Sequence, residues 1–369
     1  MLYYLFDYLN VQYSPPGFDV FRFISFRAAA AAISALLITW IVGPRILRIL
    51  KRRQIGETAK MEAPAGHQAK AGTPTMGGLI ILCAILIPVL LWAPIKETYV
   101  WLILITTFGM GVVGWVDDYL KVIKHYPKGL IGEYKIIGQV VVGLLVGSII
   151  YFSPEFAPYN SITTVPFFKN VNFDFGIFYV PMVVFVVVAT SNAVNLTDGL
   201  DGLAVGTIAI SFLSLAVISW VGGNKIAANY LNIMYLPGSQ ELAVFSAAVV
   251  GASLGFLWYN SHPAEVFMGD TGSLALGGAL GVTAVLVKKE LLLPVLGGIF
   301  LAETLSVLIQ KTYFKYTKKK HGVGRRVFRM APIHHHFELL GWAEPKIVMR
   351  FYIIAVILAI LSLASFKIR

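Results

Sequence analysis

Five short polar stretches hold most of the side chains able to do chemistry. The first is Gly-Trp-Val-Asp-Asp-Tyr at 114–119, with adjacent carboxylates Asp117 and Asp118. Neighbouring helical positions point about 100° apart, so the two carboxylates cannot share one role. One can face a ligand while the other is held by a lysine or reaches a metal indirectly. The second is Asn-Leu-Thr-Asp-Gly-Leu-Asp-Gly at 195–202. Its two Asp-Gly steps make tight turns that aim carboxylates and backbone N–H groups into one space. Asp201 could equally cap the next helix, and the twelve-residue ligand pattern of a calcium loop is missing. The third runs from Asn260 to Ser273 and sets Asp270 between Gly269 and Gly272 at a helix start. Asp270 is an N-cap there, or the holder of a divalent ion beside a bound phosphate. Phe267 offers a flat face for a base. The fourth is Ala-Pro-Ile-His-His-His-Phe-Glu at 331–338. Consecutive residues diverge on a helix, so His334, His335 and His336 are not a zinc site by spacing; they offer two directions for phosphate or carboxylate contact. The fifth, at 66–78, has Lys70 and Thr75 within reach of phosphate oxygens but lacks the order of a phosphate loop.

Each stretch is weak alone. Together they supply carboxylates, lysines, histidines and glycine-rich backbone, the set that Mg²⁺-dependent phosphoryl transfer uses to neutralise and position phosphates.

The elements that carry these stretches are membrane spans. Of 369 residues, 57% are hydrophobic and only 13% charged, about half the charge of a soluble domain. The mean hydropathy is +0.74. One cysteine, Cys83, excludes an internal disulfide framework. The net charge of +11 reads as cytoplasmic loops of a membrane protein rather than as a nucleic-acid surface. Ten apolar segments are expected to span, near 24–43, 77–93, 99–116, 136–152, 178–194, 202–221, 242–259, 271–287, 292–310 and 349–366. The expected fold is therefore all-α, a polytopic integral membrane protein with about ten transmembrane helices, and a single transferase domain over 1–369. Three basic loops, 44–76, 117–135 and 311–348, carry 21 of the 30 lysines and arginines with the span ends beside them. That side is expected to be cytoplasmic, with both termini periplasmic. The five polar stretches then share the cytoplasmic face. A transporter would instead place its polar groups near mid-membrane. Glu303 is the one intramembrane acid that stands out, either as a functional group or as a helix–helix hydrogen bond.

The motifs Val-Asp-Asp-Tyr at 116–119, Asn-Ala-Val-Asn-Leu-Thr-Asp-Gly-Leu-Asp-Gly-Leu at 192–203, Phe-Met-Gly-Asp-Thr-Gly-Ser-Leu at 267–274, Met-Ala-Pro-Ile-His-His-His-Phe-Glu at 330–338 and Gly-Thr-Pro-Thr-Met-Gly-Gly at 72–78 resemble those of the phospho-N-acetylmuramoyl-pentapeptide translocase family. This family belongs to the polyprenyl-phosphate phosphosugar transferases. The resemblance covers essentially the whole chain. It implies an enzyme of the bacterial cytoplasmic (inner) membrane that moves phospho-N-acetylmuramoyl-pentapeptide from UDP-N-acetylmuramoyl-pentapeptide to undecaprenyl phosphate, giving lipid I and UMP for peptidoglycan synthesis. It implies Mg²⁺ as cofactor and a homodimer, with no nucleic-acid partner. By resemblance Asp117, Asp118 and Asp270 are catalytic, with Asp270 the direct Mg²⁺ ligand. Lys70, Asn195, Asp198, Asn260 and Phe267 match positions lining the uridine-diphosphate pocket. Thr75, Lys121, Lys135, Ser273, His334, His335 and His336 match positions near phosphate or sugar.

Overall fold

The computed structural model describes residues 1–52, 72–124, 126, 129–157, 159–168 and 171–366. Lys70 lies outside the described residues. An amphipathic helix α1 (Leu2–Tyr13) precedes the long α2 (Ile24–Arg52). Next come α3 (Gly78–Trp92), α4 (Thr98–Val122) and α5 (Gly132–Phe152). A two-stranded hairpin follows, β1 (Ile162–Thr164) and β2 (Asn172–Asp174), antiparallel with Thr163 opposite Phe173. The chain continues through α6 (Tyr179–Thr197), α7 (Leu203–Gly223), the short α8 (Lys225–Leu231), α9 (Glu241–Asn260) and α10 (Gly269–Leu286). It ends with α11 (Leu293–Leu296), α12 (Gly298–His321), α13 (Ile333–Glu338) and α14 (Glu344–Ala364).

A helix stands at each of the ten apolar segments. Among the described residues, seven are long and apolar enough to cross a membrane: α2, α4, α5, α6 with its leading turn, α7, α9 and α14. The count is eight if the turn and α11 at 290–296 form one broken span with α12, the two parts meeting at 83°. The apolar run predicts one uninterrupted span over 292–310. Pro294 and the pair Gly297-Gly298 break it, since proline and glycine weaken the helical ladder there. The hairpin is a second departure from an all-helical expectation.

Helix α3 has only 15 residues, short for a crossing of about 20. Helix α10 has 18 residues, and those from Thr271 to Leu286 are all buried. A helix apolar all round belongs inside a bundle. Its glycines let neighbours close on it: a Cβ on Gly78 would sit 2.1 Å from the backbone N of Gly272. Helix α10 is thus the axis on which α3, α4 and α6 meet. At 1.5 Å per residue it is about 27 Å long. At its far end Lys288 and Lys289 tie it to the hairpin: Thr164 Oγ1 donates to Lys288 O at 2.8 Å and Lys289 Nζ donates to Thr164 Oγ1 at 2.8 Å. Its near end carries Asp270.

Candidate functional site

Asp270 is the meeting point of three other elements. Lys121 at the end of α4 and Lys135 in the first turn of α5 both donate to its Oδ2, at 2.9 and 2.8 Å. Asn195 near the end of α6 donates to Oδ1 at 2.6 Å and to Ser273 Oγ at 2.8 Å. Asp117 stands beside this group. Its Oδ2 accepts from Lys121 at 2.5 Å and lies 3.6 Å from Lys135, and its Oδ1 accepts from Leu130 N at 2.7 Å. Two carboxylates and two ammoniums are therefore held within direct ion-pair distance. Lys135 is 14% exposed and Lys121 40%, so the cluster opens to the outside through Lys121.

Asp118 points elsewhere. Its Oδ1 accepts from Asp270 N at 3.1 Å, and its Oδ2 from Thr271 N at 2.9 Å and Thr271 Oγ1 at 2.6 Å. It caps the first turn of α10 from across the bundle, satisfying N–H groups that a helix start leaves orphaned. Of the two readings of Asp270, N-cap or holder of an ion, the first fails: it makes no capping bond, and the N-cap is Met268, with no side-chain hydrogen bond. The approach is possible because position 114 is glycine. A Cβ there would lie 2.1 Å from Asp270 O.

The segment 74–78 lies against this turn. Phe267 N donates to Pro74 O at 2.8 Å, Gly77 N to Phe267 O at 2.9 Å and Gly78 N to Met268 O at 2.8 Å. Thr75 and Phe267 are held here, both half-buried, and Thr75 Oγ1 would touch a Cβ on Gly269 at 3.1 Å.

A second focus lies around the α6–α7 loop. Asp198 opens the turn after α6 and is half-buried. Asp201 does not cap α7 as its position suggested. Its Oδ2 accepts from Ala264 N at 3.1 Å and lies 3.1 Å from His262 Nδ1, while its backbone N donates to Glu344 at 2.7 Å. Asp201, His262 and Glu344 bring one ligand atom each within 4.8 Å of one another. Asn260 is buried and spends its amide within the protein, accepting from Gly202 N at 3.1 Å and donating to Val266 O at 2.8 Å.

The three histidines take three directions rather than two. His334 is fully buried against Glu303, Nδ1 to Oε2 at 3.1 Å. His335 Nδ1 lies 2.6 Å from Glu338 Oε2. His336 Nδ1 accepts from Arg329 N at 3.1 Å. The sequence singles out Glu303 as a functional group or a helix–helix hydrogen bond without naming His334 as its partner, and it misses Glu338 and Arg329. Only the short separation of Glu338 and Arg329 from the triplet could have hinted at them.

Two groupings offer carboxylate oxygens of the kind that suit Mg²⁺ or Ca²⁺, one of them together with an imidazole nitrogen, a donor that suits transition metals better. One is the Asp201–His262–Glu344 trio. The other is the pair Asp117 and Asp270, whose charge is met in this structure by Lys121 and Lys135, so that a divalent ion there would take the place of an ammonium.

Residues 100–288 match the model of glycosyl transferase family 4, and residues 70–82 match phospho-N-acetylmuramoyl-pentapeptide-transferase signature 1. The chain is 55% identical, over 100% of both sequences, to the phospho-N-acetylmuramoyl-pentapeptide-transferase of Chloroherpeton thalassium. It is 54% and 53% identical over the same full length to the enzymes of that name from Chlorobium limicola and Chlorobium chlorochromatii. The chain belongs to the phospho-N-acetylmuramoyl-pentapeptide-transferase family. It is therefore a transferase, and its apolar helices make it a membrane protein. Asp117, Asp118 and Asp270 fall inside the stretch that matches the wider family model, and Thr75 inside the narrower transferase signature.

Proposed function

We propose that this chain transfers phospho-N-acetylmuramoyl-pentapeptide from UDP-N-acetylmuramoyl-pentapeptide to undecaprenyl phosphate, releasing UMP. The observation that carries the proposal is Asp270 held at once by Lys121, Lys135 and Asn195 beside Asp117. The names of the full-length relatives supply the transferred group, phospho-N-acetylmuramoyl-pentapeptide.

In this reading the lipid phosphate attacks directly. A new P–O bond forms between its oxygen and the sugar-bound phosphorus of the nucleotide. The bond from that phosphorus to the bridging oxygen breaks, and UMP leaves with the electron pair. Lys121 and Lys135 meet the phosphate oxygens and offset charge that builds in the transition state. Asp117 orients the lipid phosphate and takes its residual proton. Asp118 keeps the start of α10 in place, and Asn195 and Ser273 fix the Asp270 carboxylate. Asp270, with Asp117, would hold the Mg²⁺ ion, which supplies Lewis-acid neutralisation of the diphosphate. Thr75, Phe267 and Asp198 flank the cluster as contacts for phosphate and uridine. Lys70, His335 and His336 complete the soluble substrate's site. Asn260 and His334 support it from behind.

The same reading has ten crossings in a single domain, α3, α10 and the broken α11–α12 included. The site faces the cytoplasm of the bacterial inner membrane, both termini are periplasmic, and two copies form a dimer. A panel of sugar nucleotides tests the substrate assignment. UDP-N-acetylmuramoyl-pentapeptide should give a lipid product and UMP, and UDP-N-acetylglucosamine should not. Equal use of both would overturn the assignment.

A further inference from the structure

Glu303 is 0% exposed and sits in α12 just beyond the 83° break. A carboxylate there is costly unless paired. Its Oε2 lies 3.1 Å from His334 Nδ1 and 3.5 Å from His334 N, and its Oε1 has no hydrogen-bond partner among the described residues. His334 is equally buried, and both its ring nitrogens lack a hydrogen-bond partner among the described residues, the 3.1 Å approach of Nδ1 to Oε2 being an ion-pair distance only. That edge of the ring presses on the α6–α7 loop: a Cβ on Gly199 would lie 2.2 Å from Nε2. The backbone of Gly199 has no positive φ. Glycine is needed at 199 for space, not for conformation.

These contacts form a line. Glu303 accepts from the backbone N of His334 and sets its carboxylate against the imidazole, 3.1 Å from Nδ1. The imidazole fixes how near the loop carrying Asp198 and Asp201 comes to the turn carrying His335 and His336. Asn195, which holds Asp270, lies four residues before Gly199. Among the described residues, no ion pair of Asp117, Lys121 or Lys135 involves Glu303, His334 or Gly199. We infer that Glu303 is a positioning residue, acting through His334 on the α6–α7 loop, and that it sets affinity for the soluble nucleotide-sugar rather than for the lipid phosphate. The inference rests on the assignment of those two loops to the nucleotide-sugar.

Steady-state transfer kinetics test it, with each substrate varied in turn and the wild type measured alongside. Glu303→Gln keeps the shape and removes the carboxylate. It should raise KM for UDP-N-acetylmuramoyl-pentapeptide about tenfold, the equivalent of about 1.4 kcal/mol of lost binding, and leave KM for undecaprenyl phosphate unchanged. Gly199→Ala should do the same by pushing the ring away. On a His334→Ala background neither change should add a further effect, because the residue they act through is gone. A uniform fall in kcat with both KM values unchanged would mean a merely structural role and overturn the inference. Full additivity on the His334→Ala background would also overturn it. Failure of the wild type to use UDP-N-acetylmuramoyl-pentapeptide would instead overturn the substrate assignment, and the inference with it.

Discussion

Asp118 accepts three hydrogen bonds from the first turn of the helix that carries Asp270: from Asp270 N at 3.1 Å, Thr271 N at 2.9 Å and Thr271 Oγ1 at 2.6 Å. The two carboxylates thus divide the labour. One builds the helix start, and the other projects from it towards two lysines. Asp118→Asn should destabilise the protein, because the new amide turns a donor towards donors. The cost is about 1–3 kcal/mol, that of a buried polar group left unsatisfied. Thermal melts in detergent should register this as a lower transition temperature. A variant as stable as wild type would remove Asp118 from its capping role.

Asp270→Asn should behave in the opposite way. Asp270 makes no capping bond, so the fold should survive. Turnover should be abolished, together with Mg²⁺-dependent binding of the nucleotide-sugar. Binding measured by calorimetry with and without Mg²⁺ checks this. An active Asp270→Asn protein would show that the carboxylate is not the ion's ligand.

The contrast between these two residues marks what could be read in the sequence. The residue types near Asp270 were legible: Lys121, Lys135, Asn195 and Ser273 are polar groups at the ends of apolar segments, and the structure brings the first three to one carboxylate and Ser273 to Asn195. Hydropathy located the seven described helices that are long and apolar enough to cross a membrane. It could not say which way each side chain turns. Asp118, Asn260 and His334 have the chemistry of site residues, yet each is buried and engaged with the protein itself. That depends on partners far away in sequence, such as Thr271 for Asp118 and Glu303 for His334. The break in α11–α12 had a local signal in Pro294 and Gly297, but an apolar run masks it. The hairpin strands are too short, at three residues each, for an alternating pattern to stand out.

For Asp117 the expectation concerns pH. The second pKa of a phosphate monoester is near ~6, so at pH 6.5 about a quarter of the lipid phosphate still carries a proton, and at pH 9 essentially none does. A group that accepts that proton matters at the lower pH and not at the higher. Asp117→Asn should therefore lose less activity at pH 9 than at pH 6.5, each relative to wild type. A defect of equal size at both values would contradict this, as would a phosphosugar adduct trapped on Asp117 without lipid.

Topology follows from the unequal distribution of lysine and arginine. Single cysteines placed in 153–177 on a Cys83→Ala background should react with an impermeant reagent in intact cells. Those placed in 311–348 should react only after permeabilisation. The reverse pattern would put Asp270 on the wrong side for a cytoplasmic substrate.

The most direct measurement follows the two phosphorus atoms of the nucleotide. UDP-N-acetylmuramoyl-pentapeptide labelled at the sugar-bound phosphorus is incubated with the purified protein, Mg²⁺ and undecaprenyl phosphate. In a parallel sample the label is on the nucleoside-bound phosphorus. The first label should move into the organic phase with the lipid, and the second should remain in water as UMP. Both labels leaving together as UDP would mean that the sugar alone is transferred, and would contradict attack by the lipid phosphate at the cluster of Asp117, Lys121, Lys135 and Asp270.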